Sequence, residues 1–211
     1  LMRVGEPMYV FYGYVEDGYD ENGHIVYKNM DDDPAITAAD KTIIGDPNPD
    51  FLVNLTTAVS YKGFTLSAFF QSSIGNDIYS LSMAAQAYDY GYNGNTLREV
   101  YYNHWTPENP TAKYPNLDQT SYKMSDRFVY DGSFVRLKNL ELAYDVPCAR
   151  SKFIKRARVY VSAQNLFTIT SYPFWDPDIN ANGGGSSMIQ GVDSYCYPSA
   201  RTYTIGCRLT F

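Results

Sequence analysis

The densest run of potential metal ligands in this 211-residue sequence is NMDDDPAITAAD, where Asp31, Asp32, Asp33 and Asp40 offer hard oxygen donors. Carboxylates at close spacing suit Ca2+, which takes about six to eight oxygens. The plainer alternative is a solvated acidic loop. Other chemistry finds less support. His24 and His104 stand far apart, with no Ser or Cys in a nucleophile setting, and lone surface histidines are the expectation for both. Paired carboxylates could hydrolyse glycans, but Asp31 to Asp33 are chain neighbours and Asp176 with Asp178 share one loop stretch. Neither pair is singled out as acid and base. Cys148, Cys196 and Cys207 lack C-x-x-C spacing, so neither a disulfide framework nor a zinc site is indicated. The glycines 183–185 lack the following helix and lysine of a phosphate-binding loop. The sequence therefore reads as a protein that is not an enzyme.

The elements that must hold these loops are strands, because period-2 alternation recurs along the chain. In FLVNLTTAVSY, Val53, Leu55, Val59 and Tyr61 share one face, opposite Asn54, Thr56, Ala58 and Ser60. Phe64, Leu66, Ala68 and Phe70 follow after Lys62-Gly63, a tight hairpin junction. Leu140, Leu142, Tyr144 and Val146 then oppose Asn139, Glu141 and Ala143, and Ala157, Val159, Val161 and Ala163 oppose Arg158, Tyr160, Ser162 and Gln164. With PMYVFYGYV and the terminal RTYTIGCRLTF, about six strands are expected, near the roughly 9 to 11 residues of a tilted bilayer-crossing strand. Short links follow Tyr61 and Val146. Long polar ones run from about Glu16 to Asp50, Gly75 to Arg127 and Ser171 to Ala200. Alternating short turns and long loops are the habit of outer-membrane barrels, whereas a compact domain rarely carries several long irregular loops.

A soluble β-sandwich, such as a glycan-binding module, is the rival reading, since it also alternates. The second face decides against it: Ser, Thr, Asn and Gln with scattered Arg and Glu suit a wet lumen. Aromatic clusters in YVFYGY and SYPFW suit interfacial girdles. No apolar run reaches the roughly 18 to 20 residues of a membrane-spanning helix. A net charge of −6 and pI near 4.8 give no basic footprint for nucleic acid. The strand that closes the sequence stays apolar on one side to Phe211, as a strand paired in a closed barrel must.

Several stretches resemble the C-terminal part of SusC/RagA-type TonB-dependent outer-membrane transporters: RVGEPMYVFYGYVEDG, DKTIIGDPNPDF, YKGFTLSAFFQSSIGNDIY, WTPENPTAKYP, SDRFVYDGSFVRLKNLELAYDVP, VYVSAQNLFTIT and DPDINANGG, in the family's order. The resemblance spans residues 1–211 and implies an all-β fold, the last strands of a 22-stranded transmembrane barrel with long extracellular loops, the plug domain and signal peptide lying outside this stretch. It implies import of oligosaccharides or peptides, an outer-membrane location, a SusD-like lipoprotein partner and energy coupling through TonB. The terminal aromatic resembles the signal read by the barrel-assembly machinery. On the family pattern, which reads like an EF-hand loop, Asn29, Asp31, Asp33 and Asp40 fall at positions one, three, five and twelve, a set that implies bound Ca2+. Pro34 stands where the turn glycine belongs and position twelve is the shorter Asp. Among the loop aromatics Tyr88, Tyr90, Tyr92, Tyr101, Tyr102 and Trp105, the last two are the expected ligand contacts, because aromatic faces stack on sugars.

Overall fold

A computed structural model describes residues 3–88, 95–119, 121–148, 153–179 and 190–211. Short and long elements alternate along the chain. Four short strands come first: β1 (Phe11–Gly13), β2 (Glu16–Tyr19), β3 (Ile25–Tyr27) and β4 (Thr42–Gly45). Two long ones follow, β5 (Phe51–Tyr61) and β6 (Phe64–Ile74). Short elements return as β7 (Asp77–Ser80), helices α1 (Leu81–Tyr88) and α2 (Arg98–Tyr102), and β8 (Val129–Asp131). The long β9 (Phe134–Val146) and β10 (Arg156–Thr170), the two-residue β11 (Val192–Asp193) and the long β12 (Thr202–Thr210) complete the order.

The short elements build one compact unit from Leu1–Asn48, Asn76–Asp131 and Asp178–Cys196, and the long strands build another from Pro49–Gly75, Gly132–Pro177 and Tyr197–Phe211. In the first, the loop unit, β1 pairs with β4, β2 with β3, and β7 lies between β8 and β11. Its core is aromatic: Phe11, Tyr14, Tyr27, Tyr79, Tyr114 and Phe128 are buried together with Val100 and Ala87. Tyr79 meets Phe11 at 5.8 Å and Phe128 at 6.1 Å between ring centroids, in tilted and edge-on geometries that suit the ring quadrupoles. Burial pushes the Tyr79 hydroxyl well above its ordinary pKa.

The second, the sheet unit, is one antiparallel sheet in the order β12-β10-β9-β6-β5. The β5–β6 turn has Lys62 at φ 47° and Gly63 at φ 86°, the pair of left-handed residues that a two-residue type I′ hairpin requires. Register slips between Gln164 and Phe167, where Asn165 takes φ 51°, and between Phe69 and Phe70 on the facing pair. These bulges keep Leu137 and Leu140 on the same face.

Five long strands, rather than the expected six, are present among the described residues. The segment PMYVFYGYV yields only β1, because Val10, Phe11 and Tyr14 are buried in the loop unit. Its aromatics serve a globular core instead of a girdle. Tyr172 of SYPFW is likewise buried, while Trp175 is exposed.

Candidate functional site

The cross-strand register turns alternation into two continuous surfaces. On one face the aligned rows read Tyr61–Phe64–Tyr144–Val159–Cys207, Val59–Leu66–Leu142–Val161–Ile205 and Thr57–Ala68–Leu140–Ala163–Tyr203. Leu55–Phe70–Leu137–Phe167 follows beyond the bulges. On the other face the rows are Ser60–Thr65–Ala143–Tyr160–Gly206, Ala58–Ser67–Glu141–Ser162–Thr204 and Thr56–Phe69–Asn139–Gln164–Thr202. A sandwich would bury the first face. Here Val59 is 66% exposed, Leu142 49%, Val161 51% and Ile205 84%, and a contiguous apolar surface of this kind marks contact with membrane or protein.

The sheet unit holds one deeply buried ion pair among the described residues, Arg136 with Asp176. Arg136, on the polar face beside Thr168, is 1% exposed. Its guanidinium donates to Asp176, to Thr168 Oγ1 at 2.9 Å and to Ser199 Oγ at 3.3 Å, and the second Asp176 oxygen accepts from Ser199 N at 2.9 Å. The pair fastens the connection between β10 and β12 to the sheet and borders a cavity of about 320 Å3 lined also by Asn165, Trp175 and Arg201. Sequence reading missed it. The available signal was an Arg inside the apolar run FVRL, which demands a buried partner, but that partner lies 40 residues on.

The acidic loop is tied together by its own backbone. Asn29 Oδ1 accepts from Asp31 N at 3.0 Å, Asp31 Oδ1 from Asp33 N at 2.9 Å and Asp33 Oδ1 from Ala35 N at 3.0 Å, a chain of local Asx bonds. Asp40 is buried, and its two oxygens accept from Met30 N and Thr37 N, each at 2.7 Å. Those backbone donors hold its carboxyl below the ordinary value of 3.8. Among the described residues no group of three or more His, Cys, Asp or Glu side chains is placed to hold a metal ion. Each of the four residues thus has a side-chain oxygen bonded to the loop's own backbone.

The aromatic candidates part company. The Trp105 ring lies over Gly23, where φ is 81° and an added Cβ would fall 2.3 Å from the indole, so one of its faces packs within the loop unit. Tyr102 is 70% exposed, edge-on to Tyr101 at 5.2 Å, with the Arg98 guanidinium 5.4 Å from its centroid. Tyr90, Tyr92 and the glycines 183–185 lie outside the described residues. His24 is not a lone histidine: Nε2 lies 2.8 Å from Asp118 Oδ1 and Nδ1 3.8 Å from an Asp20 oxygen. His104 Nδ1 bonds Tyr101 O at 2.8 Å.

An antiparallel sheet with one hydrocarbon-compatible face, one wet face and a tight hairpin at one end is a piece of transmembrane β-barrel wall. Relatives carry the same conclusion. The chain is 32% identical to TonB-dependent receptor P3 of Formosa agariphila, over all of this chain and 23% of that protein. It is 30% identical to TonB-dependent receptor SusC of Bacteroides thetaiotaomicron, over 99% of this chain and 20% of that protein. The solved RagAB peptide importer in its open-open state superposes with a TM-score of 0.78 and 26% identity, over 96% of this chain and 22% of the matched chain. No family model matches. The chain belongs to the SusC/RagA-type TonB-dependent receptors and spans about a fifth of the length of the curated relatives it matches. The sheet accordingly lies in the outer membrane, and the relatives are named receptors and importers, not enzymes.

Proposed function

We propose that this chain supplies barrel wall and outer loops to a receptor that imports nutrients across the outer membrane, driven through TonB and working with a SusD-like surface lipoprotein. The observation that carries this reading is the exposed apolar face, row upon row, backed by a polar face. Such a sheet has no use in a soluble glycan-binding module, and recovery of the expressed full-length protein in buffer without detergent would favour that module instead. Oligosaccharides are the proposed cargo and peptides the competing one. The peptide alternative has the support of the RagAB peptide importer, whose matched chain is 26% identical. Within this chain Tyr102 is the proposed cargo contact, its ring being open, whereas Trp105 acts by shaping the loop around Gly23.

Uptake by intact cells tests the proposal. Cells carrying the full-length receptor gene and cells lacking it are given fluorescent oligosaccharides or peptides of matched size, with and without a protonophore. Oligosaccharide accumulation should depend on both gene and proton gradient. Uptake that is indifferent to both for every cargo would refute the assignment.

A further inference from the structure

The two units are charged in opposite senses. Loop-unit segments carry 19 Asp and Glu against 7 Lys and Arg, whereas sheet-unit segments carry 4 against 10. Much of the sheet's positive charge collects at its short-turn end. Lys62 occupies the β5–β6 turn, Lys155 and Arg156 open β10, Arg158 follows, and Arg208 lies opposite Arg158 near the end of β12. Lys62, Lys155, Arg156 and Arg208 are exposed, and none has an acidic partner among the described residues. Arg158 alone approaches carboxylates, Asp145 at 3.5 Å and Glu141 at 3.9 Å.

Aromatic rings border the same end. Tyr61, Phe64 and Tyr144 form the apolar-face row beside the turn, Phe64 and Tyr144 packing at 4.5 Å between centroids. Lys62 Nζ stands 5.2 Å from the centre of the Tyr61 ring. Lys155 shares the parity of Ala157 and Val159 and so continues the apolar face, while Arg156 and Arg158 fall on the polar face at the strand's start. An apolar belt, then a row of rings, then unpaired cations is the sequence of environments found on crossing from acyl chains through the interface to phosphates.

We propose that this rim binds the headgroup phosphates of anionic phospholipid, with Lys62 and Lys155 as the contacts. The proposal rests on the membrane-spanning reading of the sheet. Charge complementarity selects the occupant: a zwitterionic headgroup brings its own cation to the rim, whereas phosphatidylglycerol leaves its phosphate charge uncompensated. Each basic residue near an anionic lipid surface contributes about 1 kcal/mol, or roughly fivefold in affinity.

The test uses the full-length receptor purified in neutral detergent. Native mass spectrometry follows titration with dioleoyl phosphatidylglycerol or dioleoyl phosphatidylcholine. Wild-type protein should bind phosphatidylglycerol at least about fivefold more tightly, and ~0.5 M salt should erase most of that preference. The double variant Lys62→Gln, Lys155→Gln should bind the two lipids alike, whereas Arg201→Gln, at the opposite end of β12, should keep the preference. Equal affinity in the wild type, or an unchanged preference in the double variant, overturns the lipid site while leaving the barrel reading intact. Recovery of the wild type without detergent would instead overturn the barrel reading itself.

Discussion

The loop unit and the sheet unit draw on the same side chains and use them in opposite ways. Phe128, Ile78 and Val100 of the loop unit are wholly buried, and its rings pack on one another. Val59, Leu142 and Ile205 of the sheet unit stand open. Apolar residues need not face a protein core. They need to avoid water, and where the surrounding solvent is hydrocarbon the outside of a sheet serves as well as an interior. The long connections between strands therefore have to find their own stability by conventional packing, and the aromatic core with its dense acidic surface is how this chain does so.

The contrast can be broken most forcefully at the buried groups. Phe128→Ala should cost the loop unit about 3 to 5 kcal/mol and leave the sheet's resistance to heat in detergent unchanged. Arg136→Ala should do the reverse, because it strands Asp176 among buried neighbours, a loss of about 3 to 5 kcal/mol. Proteolysis of loop peptides, read beside the heat-dependent gel shift of the barrel, separates the two. Parallel losses in both readouts for either variant would mean that the units are not distinct.

Smaller effects sharpen the division within the sheet. Leu55→Arg, at the middle of β5, should destabilise the folded receptor in lipid by about 2 to 4 kcal/mol, Val59→Arg, one row from the aromatic rim, by about 1 kcal/mol, and Thr56→Arg on the polar face by clearly less than Leu55→Arg. Urea unfolding in vesicles measures all three, and equal tolerance would contradict the faces assigned from register. In the loop unit, Gly23→Ala combines a left-handed backbone with a collision against Trp105, for about 1 to 3 kcal/mol. The smallest effect is a pH dependence. Because the folded Asp40 carboxyl is held below its ordinary 3.8, its contribution is complete above that value and fades as pH falls through the folded pKa. Hydrogen exchange at Met30 and Thr37, taken relative to the intrinsic amide rate at each pH, should become faster as pH falls below about 3.8 in the wild type. In Asp40→Asn it should be fast at neutral pH as well.

Much of the sheet was legible in the sequence, because parity alone assigns faces and a belt needs no further information. The grouping of Leu66 with Phe64 and Leu142 with Tyr144 survives in the register. Parity could not reveal that PMYVFYGYV folds inward, since two-period aromatics suit a girdle and a globular core equally. It also fails across the bulge in β9, where Leu137 and Leu140 share a face although they are three positions apart. The Arg136–Asp176 pair is a long-range contact with no local mark beyond a misplaced cation. In the acidic loop, spacing alone does not choose between two uses, because Asn and Asp at every second position satisfy their own backbone as readily as they ligate an ion.

The central claim is that hydrocarbon contacts one face of the sheet, and spin-label accessibility reports this most directly. Single cysteines at positions 59, 142 and 161, and at 56, 141 and 162, would be placed in the full-length receptor after its native cysteines are replaced, then labelled in vesicles. The first set should be relaxed by dissolved oxygen and shielded from a water-soluble nickel chelate, and the second should show the reverse. Nickel access at Val59, Leu142 and Val161 equal to that at Thr56, Glu141 and Ser162 would contradict the account.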